Sequence, residues 1–410
     1  MPRFSSVASL SNRGIRRKRI GGGPPLQTIY TLQYTLEPPA MSSNPYNSYM
    51  GQIQHMQGNV LAVGLPIGRY PAYDTASRGT VLQYAVSTGA LTRAIQNPDF
   101  PENNRNDRFG ESVAVYSPYL FIGAPLENRR NNSNYNTASG VIYNYNLSTG
   151  AKNSDNLPVN VANARFGWGM AVPKGPAGNQ SFRFIVGAQN GTVNASQQGQ
   201  VYKLQMNNIG ITHTFNDPTP LNYGDYGKSM AYSNNYFAIA SNSTGLGRVD
   251  VTRQNTNNSH TFLYSLTSPT GSTAGEYGGD PWTRGGVDIS PNEQYLAVGH
   301  PDANEAHLYN MATGTLLFTV TNPDTRFGRS VHVTNDYLMV SSSNSVYLYS
   351  TATGALVQII TEPSNTIDAN FGYSMKAADG DWLAIGAPNQ RNTPGGASYS
   401  GRIHMYKKSP

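Results

Sequence analysis

Residues 109–125 read FGESVAVYSPYLFIGAP, and residues 140–150 read GVIYNYNLSTG. An aromatic-glycine pair opens a short alternating segment. A tight turn leads into an apolar segment that ends in Gly-Ala-Pro. A variable stretch precedes Gly-x-x-Tyr-x-Tyr, and Ser-Thr-Gly then marks a hairpin where glycine supplies a positive φ at little steric cost. Strands that alternate, or that are apolar throughout, suit sheets packed on one or both faces.

The pattern recurs along the chain. Met50-Gly51 leads into VLAVGLP, GTVLQY and STGALTRAIQNP, ending at Pro98. Phe166-Gly167 is followed by FIVGAQ and GQVYKL, Tyr226-Gly227 by YFAIAS and GRVDVT, and Phe327-Gly328 by YLMVSSS, SVYLYS and ATGALVQIITEP. Gly285-Gly286 opens a looser copy with YLAVGHP, AHLYN and ATGTLLFTVTNP, and Phe371-Gly372 opens a last one with WLAIGAP and GRIHMY. Seven copies spaced by about 40–60 residues match the four-stranded blade of a β-propeller plus its loops. An eighth would need a copy near Tyr277-Gly278.

The ends decide closure. The last copy stops after GRIHMY at 401–406, one strand short, while YTLQYTLEPP at 30–39 looks like LLFTVTNP at 316–323 yet precedes the first copy. The expected fold is therefore all-β: a seven-bladed propeller over residues 26–410, in which the segment 30–39 completes the last blade and removes an open edge.

Composition agrees. Only 13% of the 410 residues are charged while 38% are hydrophobic, and there are 42 glycines, 26 prolines and 27 tyrosines. Long amphipathic helices need more Lys, Glu, Ala and Leu. No cysteine is present, which excludes disulfides, thiolate metal sites and thiol catalysis. No apolar run reaches the roughly 18 residues of a membrane span. The first residues lack the continuous apolar run, about 7–15 long, of a secretory signal. Synthesis and assembly in a cytoplasm is the matching expectation.

Charge is segregated. The net charge is +6, and residues 1–25 hold Arg3, Arg13, Arg16, Arg17, Lys18 and Arg19 with no acid. The other 23 Lys and Arg balance the 23 Asp and Glu. The body has no net field to steer it onto nucleic acid. The basic arm ends in Gly21-Gly22-Gly23-Pro24-Pro25, a flexible-then-stiff hinge. Such a run can neutralise phosphates, serve as a nuclear address or dock in an acidic protein groove. Phe4 is its only aromatic, so the stacking platform of a single-strand binder is missing. Docking on a protein is the favoured reading.

The phrases at 109–125 and 371–388 (FGYSMKAADGDWLAIGAP) resemble the FG-GAP repeat of integrin α-chain propellers. The Asp-rich calcium loop that this family implies has no counterpart. Asp379-Gly380-Asp381 offers too few oxygens. The fuller repeat phrase, with its Asn-, Tyr- and Thr-rich loops, also resembles repeats in structural proteins of tailed, particularly marine, bacteriophages. That resemblance implies a virion component whose arm, residues 1–25, binds other virion proteins.

Chemistry is sparse. The histidines 55, 213, 260, 300, 307, 332 and 404 show no metal-ligand spacing, and Asp302/Glu305 and Asp379/Asp381 fall in expected turns. No catalytic residue, metal site or cofactor is assigned. The loops at 102–108 (ENNRNDR) and 127–136 (ENRRNNSNYN) are more distinctive. Asn103, Asn104, Arg105, Asn128, Arg129, Arg130, Asn134 and Tyr135 have the amide, guanidinium and aromatic groups that suit a host glycan or receptor, or they are solvated insertions. The leading expectation is a non-enzymatic virion platform anchored through its arm, without membrane or nucleic-acid contact. The alternatives are a glycan- or protein-binding propeller outside a virion and, further off, a propeller glycan lyase or hydrolase.

Overall fold

The computed structural model describes residues 26–39, 48–67, 79–98, 107–127, 130–131, 134–135, 139–156, 164–174, 183–189, 192–193, 196–197, 199–218, 225–241, 247–256, 259–272, 275–279, 285–364, 369–378, 381–390 and 400–409. Among these residues there is no helix. Seven four-stranded antiparallel sheets form the blades of a propeller, and two short hairpins accompany them. The innermost strands, in blade order, are Ile53–Gln57, Ser112–Tyr116, Phe166–Ala171, Met230–Tyr232, Val287–Ile289, Val331–Val333 and Met375–Ala378.

The seventh sheet takes its fourth strand from the other end of the chain. Tyr30–Leu36 pairs antiparallel with Arg402–Lys408, from Tyr30 opposite Lys408 to Leu36 opposite Ile403. The register skips one residue in the fourth strand of every blade: Thr92, Asn153, Thr212, Leu263, Leu317 and Val357 in the first six, and Gln33 in the seventh. A β-bulge of this kind bends and twists its strand. The N-terminal segment thus carries the same bulge as the fourth strands that its own blade lacks.

The core lies between blades rather than at the axis. Seven buried clusters each draw on two neighbouring sheets. Phe121 and Ile142 of the second blade meet Phe166, Phe184 and Tyr202 of the third, for instance. The seam between the last and first blades is built the same way, with Leu36, Met405 and Ile403 against Met56, Leu61 and Tyr84.

The repeated glycines set how closely blades approach. The motif glycines Gly51, Gly110, Gly167, Gly227, Gly278, Gly328 and Gly372 all have φ between 88° and 94°, a region unfavourable to residues with a Cβ. Each faces the glycine of the preceding blade's Gly-Ala-Pro, or the Ala or Ser in its place. A Cβ on Gly64 would lie 2.0 Å from the Gly110 carbonyl oxygen, and one on Gly386 would lie 1.9 Å from that of Gly51. The serine two residues on adds a polar clasp. Ser112 Oγ donates to the Gly167 carbonyl at 2.6 Å, and Ser374 Oγ to that of Gly51 at 2.7 Å. The motif aromatic packs edge-on against the third strand, as in Phe109–Tyr143, Phe166–Tyr202 and Phe327–Tyr347.

One sequence boundary is corrected. The fifth blade begins not at Gly285-Gly286 but at Tyr277-Gly278. Gly278 has the motif φ of 91° and its N–H donates to the Gly299 carbonyl at 2.9 Å. Residues 279–286 separate this pair from the inner strand, which hides the repeat. The pair that hinted at an eighth blade is the missing start of the fifth.

Substituting Gly64→Ala is expected to destabilise the fold by about 3 kcal/mol, because backbone rather than a flexible side chain stands in the way. Gly58→Ala, at φ 54° with nothing within 4 Å of the new Cβ, is expected to cost only about 1 kcal/mol. Urea unfolding of the two variants checks the order.

Candidate functional site

The inner strands enclose a channel of about 1010 Å³. Its charged lining comprises Lys174, Lys228, Lys376 and Lys408 against Glu111, Asp288 and Asp336. One register position dominates its chemistry: the inner-strand residue paired with the second residue before the Gly-Ala-Pro glycine or its replacement. In blades one to seven this residue is His55, Ala114, Ala171, Ala231, Asp288, His332 and Lys376. Blades five, six, seven and one therefore form a polar arc, and blades two to four an apolar one.

The acceptors in the arc fasten blades together. An innermost strand exposes backbone N–H groups that lack a strand partner, and leaving them buried and unmade is costly. Val115 N–H donates to His55 Nδ1 at 3.2 Å. Val333 N–H donates to Asp288 Oδ2 at 2.9 Å, and Ala377 N–H to His332 Nε2 at 3.3 Å. Each bond runs from one blade to the next.

Asp288 is the hub. Lys174, carried across from the end of the third blade's inner strand, donates to Asp288 Oδ2, and His332 Nδ1 lies 2.8 Å from the same oxygen. Burial would raise the Asp288 carboxyl, but Lys174, His332 and Lys376 outweigh it and hold it well below the usual carboxylate range. Burial pulls the Lys174 ammonium down to about 8 against the opposing pull of Asp288. Burial, aided by Lys174, brings His332 to about 4 despite Asp288, and burial likewise holds His55 well below its ordinary value. At neutral pH Asp288 is a carboxylate, Lys174 mainly an ammonium group, and His55 and His332 neutral imidazoles.

An aspartate beside an imidazole nitrogen can orient a general base. Here the far nitrogen of His332 is occupied by the Ala377 N–H, so that imidazole presents no free lone pair to the channel.

The sequence-assigned sites fall elsewhere. Arg3, Arg13, Arg16, Arg17, Lys18 and Arg19 lie outside the described residues, as do Asn103, Asn104, Arg105, Asn128 and Arg129. Arg130, Asn134 and Tyr135 belong to a two-stranded hairpin in which Arg130 pairs with Tyr135 and Asn131 with Asn134. The roots of the two loops are brought together. Asn97 Nδ2 donates to Asp107 Oδ2 at 3.2 Å and to Glu127 Oε2 at 3.4 Å. In an antiparallel meander the connections from second to third strand and from fourth strand to the next blade share a face, so the described roots of both loops lie at one end of the ring. The channel cluster was missed because its members stand one per blade. Aligning the copies on the motif glycine would have shown His55, His332 and Lys376 four residues after it.

No protein-family model matches the chain, and no curated protein matches it in sequence. Among solved structures it is similar to the β-propeller domain of Cps50 (Swd1) from Myceliophteria thermophila, at 12% identity with a TM-score of 0.56, over 93% of this chain and all of that one. At that identity the likeness establishes the fold: the chain is a seven-bladed β-propeller.

His332 and His404, both depressed by burial, to about 4 and about 3, make stability depend on pH. Their folded-state values lie below the unfolded one, so the unfolded chain takes up protons that the fold refuses. Stability is full above about pH 6.5 and declines toward pH 4, by about 1.4 kcal/mol per pH unit for each imidazole. Urea midpoints are expected to fall steadily between pH 7 and pH 4.5, and a flat profile would contradict this reading.

Proposed function

We propose that this propeller is a non-catalytic platform, anchored through its basic N-terminal arm to a neighbouring protein of a tailed-phage particle and presenting its long loops outward. The observation that carries the reading is the opposition of two faces. Tyr30 stands opposite Lys408, at the end of the ring away from the second-to-third-strand loops. The chain just before it is held there. Gln27 N–H donates to the Val357 carbonyl at 2.9 Å, Ile29 and Tyr30 N–H both donate to Gln358 Oε1 at 2.9 Å, and Ser409 N–H donates to the Ile29 carbonyl at 2.7 Å. The described chain thus begins, at Leu26, toward one face, while Asp107 and Glu127, at the roots of the amide-rich loops, lie toward the other.

Three further points support it. The net charge is confined to residues 1–25, the rest of the chain balancing to zero, which suits an acidic groove on a partner. In the channel, His55 Nδ1, Asp288 Oδ2 and His332 Nε2 are taken up by joining blades, which suits a rigid body more than a reaction centre. The repeat phrases resemble FG-GAP propellers and phage structural repeats. A glycan- or protein-binding propeller outside a particle is the second reading. It is favoured by the hairpin Arg130–Asn131/Asn134–Tyr135 and by its counterpart Thr192–Val193/Ser196–Gln197 in the next blade.

A variant lacking residues 1–25 is expected to fold with an unchanged unfolding midpoint and to be lost from assembled particles when co-sedimentation is measured. Unchanged incorporation would remove the anchoring role and leave the free-standing binding module.

A further inference from the structure

In several blades a polar group on the first or third residue of the third strand is met at the loop-face end by a polar group in direct contact. In the second blade, Tyr143 Oη donates to Glu127 Oε1 at 2.7 Å. In the fourth, Arg248 Nε donates to Asp250 Oδ1 at 2.9 Å. In the sixth, the Tyr347 hydroxyl donates to Asp324. In the seventh, His404 Nε2 lies 3.0 Å from Gln390 Oε1.

The fifth blade is different. His300 takes the alanine place of Gly-Ala-Pro, and Glu305 and His307 are the first and third residues of the strand Glu305–Asn310. Glu305 is therefore part of a strand and not the turn residue its sequence suggests. Both imidazoles are fully buried. His307 Nε2 stands 3.6 Å and His300 Nδ1 3.8 Å from Glu305 Oε2, beyond hydrogen-bond length. His307 Nε2 has no hydrogen-bond partner among the described residues. Its orientation is nevertheless fixed, because Nδ1 lies 3.0 Å from Thr319 Oγ1. Thr270 Oγ1 donates to Glu305 Oε2 at 2.9 Å.

We propose that His300 Nδ1, His307 Nε2 and Glu305 Oε2 bind a divalent transition-metal ion of the zinc class. The three ligand atoms lie within 4.8 Å of one another. An ion about 2.1 Å from Glu305 Oε2 and either imidazole nitrogen, which lie 3.6–3.8 Å from it, subtends roughly 120–130°, and binding requires the two imidazole nitrogens, within 4.8 Å of each other, to stand no more than about 4.2 Å apart. Two imidazoles and one carboxylate suit zinc, cobalt or nickel and exclude calcium and magnesium, which take mainly oxygen. Thr319 and Thr270 act as the outer partners that orient ligands. The Glu305 side chain is 14% exposed, so the site is reached from solvent on its side. The ion would tie the second and third strands of the fifth blade to the Thr270 segment that follows the fourth.

The test uses the full chain, stripped with a chelator and dialysed. Calorimetric titration with Zn²⁺ and absorbance titration with Co²⁺ are expected to give one equivalent bound, with the visible absorption of low-coordinate Co²⁺ and a raised unfolding midpoint that Mg²⁺ does not reproduce. His307→Gln and Glu305→Gln are each expected to weaken binding more than about 100-fold, since even an outer-shell partner accounts for about 10–100-fold. His213→Gln is expected to bind as the unsubstituted chain does. Far-UV circular dichroism without metal verifies that the variants fold. If a variant does not fold, the metal-dependent midpoint of the unsubstituted chain decides. Absence of stoichiometric binding by that chain, or its retention in either variant, overturns the assignment.

Discussion

The pairing of Tyr30–Leu36 with Arg402–Lys408 is the constraint on which the ring depends. A propeller keeps its apolar core in slabs between blades, so every sheet needs a neighbour on both sides. Seven such slabs exist only if the last sheet meets the first. The seam has no covalent bond, and the chain has no cysteine with which to make one. It is held by six register pairs of ladder, by Leu36 and Tyr34 packed into the cluster around Met56 and Tyr84, and by bonds that cross to the first blade. Gln54 Nε2 donates to the Ser374 and Ala384 carbonyls at 3.1 and 3.2 Å. The ladder also covers an edge that would otherwise recruit another chain.

The remaining interfaces follow one scheme with local variation. Close backbone approach at the motif glycines fixes the spacing, serines clasp the next blade, and side-chain acceptors on the inner strands satisfy the N–H groups that face the channel. In blades five, six and one this last task falls to Asp288, His332 and His55. The polar interior is thus explained first as joinery. A body joined at every level suits the proposed platform.

Much of this was legible in the sequence because the repeat is carried by residues that the geometry requires. The motif glycine needs its positive φ, and the Gly-Ala-Pro glycine has no room for a Cβ, so both recur. Legibility failed where geometry was met in another way. In the fifth blade, residues 279–286 stand between Tyr277-Gly278 and the inner strand, and Gly285-Gly286 attracted the repeat boundary. In the third blade, the turn position held elsewhere by Gly89, Gly150, Gly314 and Gly354 is filled by Ile209, at φ 54° and fully buried. Packing there outweighs the steric cost of the left-handed region. The channel cluster and the His300–Glu305–His307 pocket escaped for a different reason. Each is assembled by register, and neither has a contiguous motif. The arm was legible as charge alone, and it lies outside the described residues.

The most direct test of the closure is a cross-link in this cysteine-free chain. Thr31 and Lys407 are register partners and both exposed, so the double substitution Thr31→Cys/Lys407→Cys places two thiols across the seam. Closure predicts that mild oxidation gives an intramolecular disulfide and raises stability, by up to about 4–5 kcal/mol for so long a loop, with reduction reversing the gain. Failure of the two thiols to join within one chain while each single variant folds normally would contradict the closed ring.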